Sequence, residues 1–208
     1  TKYSMVVENT VSSISVNATA VAATSTITGT GTKKLSVGTN IINVKCKSGS
    51  GSTRTYKLTV VRKEAAKPTG TLSSAKYTVG DKYITGIVPG TRAADFLAGL
   101  SVDGGTAKLV GTDGKQNQGL AATGNKVKVY VNNKKKTSYK VVIYGDVNGD
   151  GEINVLDMIK VNRHILGLDK LSGTYLVAAD ANRKGDGLNV LDMIYINRHA
   201  LGLSTIKQ

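Results

Sequence analysis

Two stretches of this 208-residue chain are near copies of each other. Aligned at Asn154 and Asn189, NVLDMIKVNRHILGL and NVLDMIYINRHALGL agree at 12 of 15 positions, differing only at Lys160/Tyr195, Val161/Ile196 and Ile165/Ala200. Met158, Val161, Ile165 and Leu168, matched by Met193, Ile196, Ala200 and Leu203, recur at helical spacing, which predicts two helices packed on each other. Gly167 and Gly202 are placed to end them. An acidic, Asn- and Gly-containing loop precedes each copy. One such loop in isolation reads as a turn; two, each leading into the same helix, ask for a chemical reason.

Calcium supplies one. It takes about six to eight oxygens, and a 12-residue loop offers them at alternate positions. In the first loop Asp146, Asn148 and Asp150 provide the first three, Gly151 allows the sharp turn, and Glu152 gives its backbone carbonyl. Asn154 reaches the ion directly or through water, Asp157 closes the loop as the helix opens, and Ile153 points inward towards the other loop. The EF-hand pattern ends in Glu, so the shorter Asp157 changes the reach of the closing ligand. The second loop, Asp180 to Asp192, is one residue too long. Counting forward from Asp180 puts Lys184 in the third ligand position, whereas aligning the Asp-Gly pairs puts Asp186 there. A lysine beside Ca²⁺ would be repelled, which favours Asp180, Asn182, Asp186, Asn189 and Asp192. Two ions are expected.

Charge is divided along the chain. Residues 1–145 carry 21 Lys and Arg against 6 acids, while residues 146–208 carry 7 against 8. Carboxylates gathered in one segment of a basic protein fit a cation site. No apolar run is long enough for a membrane span, and the lone Cys46 allows neither an internal disulfide nor a cysteine zinc site. Nucleic acid is not expected, because the cations are not interleaved with stacking aromatics: there is one Phe and no Trp. Without a leader at Thr1, any export signal is expected upstream of it.

Residues 1–63 alternate in the strand period, as in Ile14, Val16 and Ala18, Ile42, Val44 and Cys46, and Tyr56, Leu58 and Val60. Breaks at Thr28–Gly31 and Ser48–Ser52 read as hairpin turns. An all-β sandwich follows, with Cys46 a small hydrophobe on its inner face. Residues 64–144 predict an α+β module: a strand over Tyr77–Ile87, a turn at Pro89-Gly90, and a helix over Thr91–Leu100 with Thr91 as N-cap. A hairpin then has strands at Val127–Val131 and Ser138–Tyr144, with Asn132–Lys136 as its basic, solvated tip. From Tyr144 the chain enters the first acidic loop with no spacer, which implies packing between the two parts. The fold class is multidomain: an all-β sandwich (1–63), a small α+β module (64–144) and an all-α segment (145–208) with two EF-hand-like calcium loop-helix repeats.

Three resemblances add to this. TITGTGTKKLSVGTNIINVKCKSGSGSTRTYKLTVVR, with its Gly-x-Gly, Leu-x-x-Gly-x-Asn-x-Ile and Tyr-x-x-x-Val-x-Arg spacing, resembles the cadherin-like β-sandwich domains of secreted bacterial surface proteins. Such domains usually begin one or two strands earlier. Residues 64–144 resemble the accessory X-modules that precede a particular calcium domain. Asp-x-Asn-x-Asp-Gly-x-Ile-Asn-x-x-Asp, a helix with Asn-Arg-His and a degenerate second copy look like a type I dockerin over about Gly145 to Leu203.

The dockerin resemblance implies a noncatalytic, calcium-dependent module that binds a cohesin on a scaffoldin to build a cellulosome- or amylosome-like complex for polysaccharide breakdown. It also implies a secreted, extracellular protein held at the cell surface through the scaffoldin. Carried over by position, the partner residues are Val155, Leu156, Asn162 and Arg163 in the first copy and Val190, Leu191, Asn197 and Arg198 in the second. Many dockerins have Ser or Thr where this chain has the Val-Leu pairs, so a more apolar face and a different cohesin class are implied. The alternative is that Leu156 and Leu191 fill the module's own core.

His164 and His199 recur in equivalent places but in different copies, with the nearby acids committed to calcium, so surface or interface histidines are expected rather than metal or catalytic ones. No Ser/His/Asp set and no free carboxylate pair point to an enzyme; a catalytic domain would lie upstream of Thr1. The competing reading is a polysaccharide- or wall-binding protein, with residues 1–145 holding a glycan or anionic polymer through their positive charge and tyrosines.

Overall fold

The computed structural model describes residues 1–208, which form two compact units, Thr1–Lys67 and Pro68–Gln208. The first unit is all β. Its main sheet runs β1 (Lys2–Val7), β6 (Thr53–Arg62), β5 (Gly38–Lys47), β3 (Thr26–Thr28), and a two-stranded sheet pairs β2 (Ser13–Val16) with β4 (Gly31–Lys34). β5 and β6 form the expected hairpin over Ser48–Ser52, while β1 adds to β6 in parallel, from Lys2 opposite Lys57 to Val7 opposite Arg62. Val16, Leu35, Ile42, Val44 and Val60 are buried between the sheets, and half-buried Cys46 shares the face of Ile42 and Val44. Alternation ends at Val16; Ala18 is exposed and outside any strand.

Thr28–Gly31 is not a hairpin. β3 pairs with β5 and β4 with β2, so the chain changes sheets there. Gly29, at φ 91°, lies so close to the Asn43 carbonyl that no side chain would fit. The motif residues have structural work: Asn40 accepts from Ser36 N (2.9 Å) and donates to the carbonyls of Ser36 and Gly38. Arg62 donates to the carbonyls of Asn9 (2.7 Å) and Leu35 (2.8 Å), tying two loops to the end of β6.

In the second unit a five-stranded sheet runs β11 (Thr106–Val110), β12 (Lys126–Val131), β13 (Lys134–Val141), β9 (Tyr83–Thr85), β8 (Thr78–Val79), and β7 (Leu72–Ser73) pairs with β10 (Ser101–Val102). Helix α1 (Ala93–Ala98) closes the core with Phe96, fully buried beside Tyr77 at 5.1 Å between ring centroids. The expected strand at Tyr77–Ile87 is broken into β8 and β9 by a turn in which Gly80 N donates to Tyr83 O. Thr91 does not cap α1: its hydroxyl donates to Val88 O at 2.6 Å, closing the Pro89-Gly90 turn, and Arg92 takes the cap position without a side-chain bond. The hairpin tip is Asn132-Asn133, both at positive φ (49° and 61°), so Lys134–Lys136 belong to β13, which ends at Val141 rather than Tyr144.

Three helices follow: α2 (Val155–Ile165), α3 (Gly173–Ala179) and α4 (Val190–Ala200). Val161 and Ile196 are fully buried and share a core with Val147, Ile153, Ala179, Ala181 and Ile206, with Met158 and Met193 packed against it. Ile165, Leu168, Ala200 and Leu203, expected in that core, are instead exposed. Each helix needs only its central turn to reach the other, so the last turn and the residues beyond Gly167 and Gly202 face solvent. Both helices end as foreseen: Leu168 N donates to Arg163 O and Gly167 N to His164 O, a Schellman pair repeated by Leu203 and Gly202.

Candidate metal loops and partner face

In the first loop the main chain wraps around two aspartates. Asp146 Oδ2 accepts from Thr123 N (2.8 Å) and Gly151 N (3.2 Å), and its Oδ1 accepts from Gly149 N (2.8 Å). Asp157 accepts from Val147 N, Asn148 N and Asn154 N at 2.7–2.9 Å. Both carboxylates are fully buried. Burial pushes Asp146 up to about 6, backbone hydrogen bonds opposing and the neighbouring Asp157 and Asp150 adding to the rise; burial likewise raises Asp157. Two buried carboxylates with no cation among their hydrogen-bond partners make a site whose electrostatics favour binding one.

The remaining candidates sit around them. Asn148 Oδ1 accepts from Asp150 N, and exposed Asp150 accepts from Asn148 Nδ2 and Glu152 N. Asn154 is the N-cap of α2, accepting from Leu156 N in a capping box with Asp157. Glu152 is exposed, and Ile153 is buried in the helical core as expected.

The second loop repeats this frame and brings Asp186, rather than Lys184, to the other two carboxylates. Asp192 accepts from Asn182 N (3.0 Å) and Asn189 N (3.0 Å), Asn189 caps α4, and Asp180 Oδ2 accepts from Gly185 N. The extra residue is absorbed by left-handed backbone at Arg183 (φ 57°), Gly185 (φ 66°) and Gly187 (φ 80°), which bulges Lys184 and carries Asp186 back to the ring. Carboxylate oxygens of Asp180, Asp186 and Asp192 all lie within 4.8 Å of one another. Asp180 Oδ1 and Asn182 Nδ2 are buried without a hydrogen-bond partner. An orphaned carboxylate oxygen at the meeting point of three carboxylates is what a hard cation would satisfy. The residues present therefore fit calcium.

Val155, Leu156, Val190 and Leu191 are 52, 55, 52 and 45 % exposed, so they do not fill the module's own core. Asn162, Arg163, Asn197 and Arg198 are exposed as well. Ile159 and the C-cap Leu166 of α2, with their counterparts Ile194 and the C-cap Leu201 of α4, are further exposed apolar residues beyond each Val-Leu pair. Their i, i+4 and i, i+11 spacing from Val155 and Val190 is the sequence signal for these four positions. Both histidines have local tasks: His164 Nδ1 accepts from Leu171 N (2.9 Å) and His199 Nδ1 from Ile206 N (3.1 Å). Helix α3, which has no repeat or motif to signal it, brings Ala178 O to Gly145 N (2.7 Å) at the entry to the first loop. The chain end closes the segment, Gln208 exchanging side-chain hydrogen bonds with both backbone groups of Tyr144.

Two stretches of the chain match known families. Residues 144–202 match the type I dockerin domain and residues 1–63 the cadherin-like beta sandwich domain. No curated protein matches the chain. Dockerins in general bind calcium and pair with cohesins in cellulosome-type assemblies, and neither domain class is catalytic. No helix is long and apolar enough to cross a membrane. The chain thus carries a type I dockerin domain, preceded by a cadherin-like β-sandwich domain.

Proposed function

We propose that this chain is the noncatalytic part of a secreted bacterial modular protein whose dockerin, loaded with two calcium ions, binds a cohesin on a scaffoldin and so places its cargo in a polysaccharide-degrading complex. Its modules are residues 1–63, 64–144 and 145–208, and from Pro68 onward the last two share one compact unit. Asp146, Asn148, Asp150, Glu152 through its carbonyl, Asn154 and Asp157 would hold one ion; Asp180, Asn182, Asp186, Asn189 and Asp192 the other. Calcium would neutralise carboxylates that otherwise repel each other, making binding free energy into folding free energy. The observation that carries the reading is the partnerless, buried Asp180 Oδ1 inside a ring of three carboxylates that follows a helix-capping frame identical to that of the first loop.

The cohesin would dock on the exposed Val155-Leu156 and Val190-Leu191 pairs with Asn162, Arg163, Asn197 and Arg198 beside them. Since the two copies expose matching residues, the same cohesin can engage in two orientations related by a two-fold axis, with Lys160/Tyr195 and Ile165/Ala200 as the exposed differences between them. Calorimetric titration of calcium into EDTA-stripped protein, followed by binding of the loaded form to a panel of bacterial cohesins, tests both parts. Two ions and a calcium-dependent complex are expected; absence of calcium binding would remove the reading.

A further inference from the structure

Outside the dockerin, the second unit concentrates positive charge on one sheet surface. Alternation along β12 turns Val127 and Val129 into the core and Lys126 and Lys128 outward. Register then sets Lys140 of β13 directly opposite Lys126, Ser138 and Lys108 on either side of Lys128, and Tyr83 of β9 beside Lys140. The five strands contain no acidic residue, and none of these lysines is in an ion pair. A depression of about 560 Å³ on this surface is lined by Lys82, Lys126, Lys128, Lys135 and Lys140, with the hydroxyls of Tyr83 and Ser138 and the single acid Asp81. Like charges directly opposed across strands cost stability, and here no ion pair offsets them.

We propose that this sheet face binds a linear uronate polysaccharide, the lysines taking the carboxylates and Tyr83 and Ser138 the sugar hydroxyls. Charge complementarity selects a polyanion: lysines spaced by about 5 Å across strands and about 7 Å along them suit charges repeating along an extended chain. Nucleic acid fits less well. A single strand needs open aromatic faces for its bases, but the Tyr130 ring is capped by the Lys108 ammonium at 5.6 Å, Tyr83 is half-buried and Phe96 is in the core. A protein partner would want a buried apolar anchor, and no large hydrophobic side chain is exposed on this face. The proposal is independent of the cohesin reading, since the lysines lie outside the loops and helices of the dockerin.

The test uses the whole chain in its calcium-loaded form and fluorescence anisotropy with labelled hyaluronan oligosaccharides, a soluble uronate polymer. Lys126→Gln/Lys128→Gln/Lys140→Gln should weaken binding at least tenfold and flatten its salt dependence. The Lys→Arg triple should restore binding. Lys45→Gln/Lys47→Gln/Lys57→Gln, which removes the same charge from exposed strand positions of the first unit, should change it less than twofold. Equal losses in the two Gln triples would reduce the effect to net charge and overturn the proposal. So would failure of wild type to bind hyaluronan, or tighter binding to a dT oligonucleotide. Removing opposed like charges should leave the thermal midpoint unchanged or raise it; a fall would assign the lysines to the fold instead.

Discussion

Replacing Asp186 by alanine separates ligand from scaffold. Asp186 is exposed and makes no hydrogen bond within the protein, whereas Asp180 and Asp192 accept from the loop backbone. In EDTA, Asp186→Ala deletes no structural contact and relieves repulsion from two carboxylates less than 4.8 Å away. At bulk dielectric each such repulsion is worth about 1 kcal/mol, so apo stability should stay level or rise by up to about 2 kcal/mol. With calcium the sign reverses. An ion present at about 1,000 times its dissociation constant stabilises by about 4 kcal/mol, and a hundredfold loss of affinity removes about 2.7 of these. Urea denaturation of the same variant with EDTA and with calcium reads both effects. Lys184→Ala, made alongside, should bind two ions like wild type, because the bulge carries Lys184 away from the ring. The reasoning fails if Asp186→Ala keeps wild-type calcium stabilisation, or if it lowers stability in EDTA.

In EDTA the second unit should lose stability as pH rises from about 4 to above 6. Asp146 is held near 6 in the fold against an ordinary 3.8, so the unfolded chain gives up its proton first and the charged, buried form is penalised by about 3 kcal/mol. Asp157 shifts in the same direction and adds to it, while His199, lowered by burial, works the other way as pH falls below its ordinary 6.5. A higher urea midpoint at pH 8 than at pH 5 would contradict this balance. His199→Ala should free Ile206 N and speed amide exchange over residues 204–208, with a cost of about 1 kcal/mol in midpoint measurements. Charging the Val155-Leu156 pair, which is about half exposed, should cost less than about 0.5 kcal/mol of stability. With Val190-Leu191 also charged, cohesin binding should disappear, whereas either change alone should leave one orientation; complete loss from the first pair alone would exclude the two-orientation mode.

The parts of the fold legible in the sequence were those in which a local pattern has one physical solution. Two copies of an Asp-Asn-Gly loop before the same helix fixed α2 and α4 and their glycine ends, and the Val-Leu pairs at their starts are exposed. Patterns whose outcome depends on distant chain were not legible. Thr28–Gly31 has the composition of a hairpin turn, but it changes sheets because β2 and β5 compete for its flanks. Thr91 is a good N-cap by type, and a nearby carbonyl takes its hydroxyl first. Leu168 and Leu203 continue the helical period, yet they lie past glycines that end the helix, so periodicity no longer places them on the buried face. Helix α3 lacks a side-chain cap, and only its buried Thr174, Ala178 and Ala179 account for it.

What the repeat hides is that its two loops live in different surroundings. Gly149 and Gly151 press against the carbonyls of Thr123 and Ala121, Gly151 O accepts from Gly90 N, and Thr123, itself fixed to Ile143 through its hydroxyl, donates to Asp146. Residues 64–144 therefore supply part of the first loop's wall, and a dockerin cut at residue 145 would lose the donor that holds Asp146. The second loop is less enclosed: Arg183 lies over the Tyr144 ring at 4.7 Å, but residues 183–187 are exposed, and its ring of three carboxylates closes through three left-handed residues and an unpaired Asp180 oxygen. Preorganised by protein on one side and dependent on the ion on the other, the two loops should not empty together. Falling calcium should release the second loop first. Removal of residues 64–144 should lower the first loop's affinity towards that of the second, which would tie the module before the dockerin to the calcium level at which the proposed cohesin complex is lost.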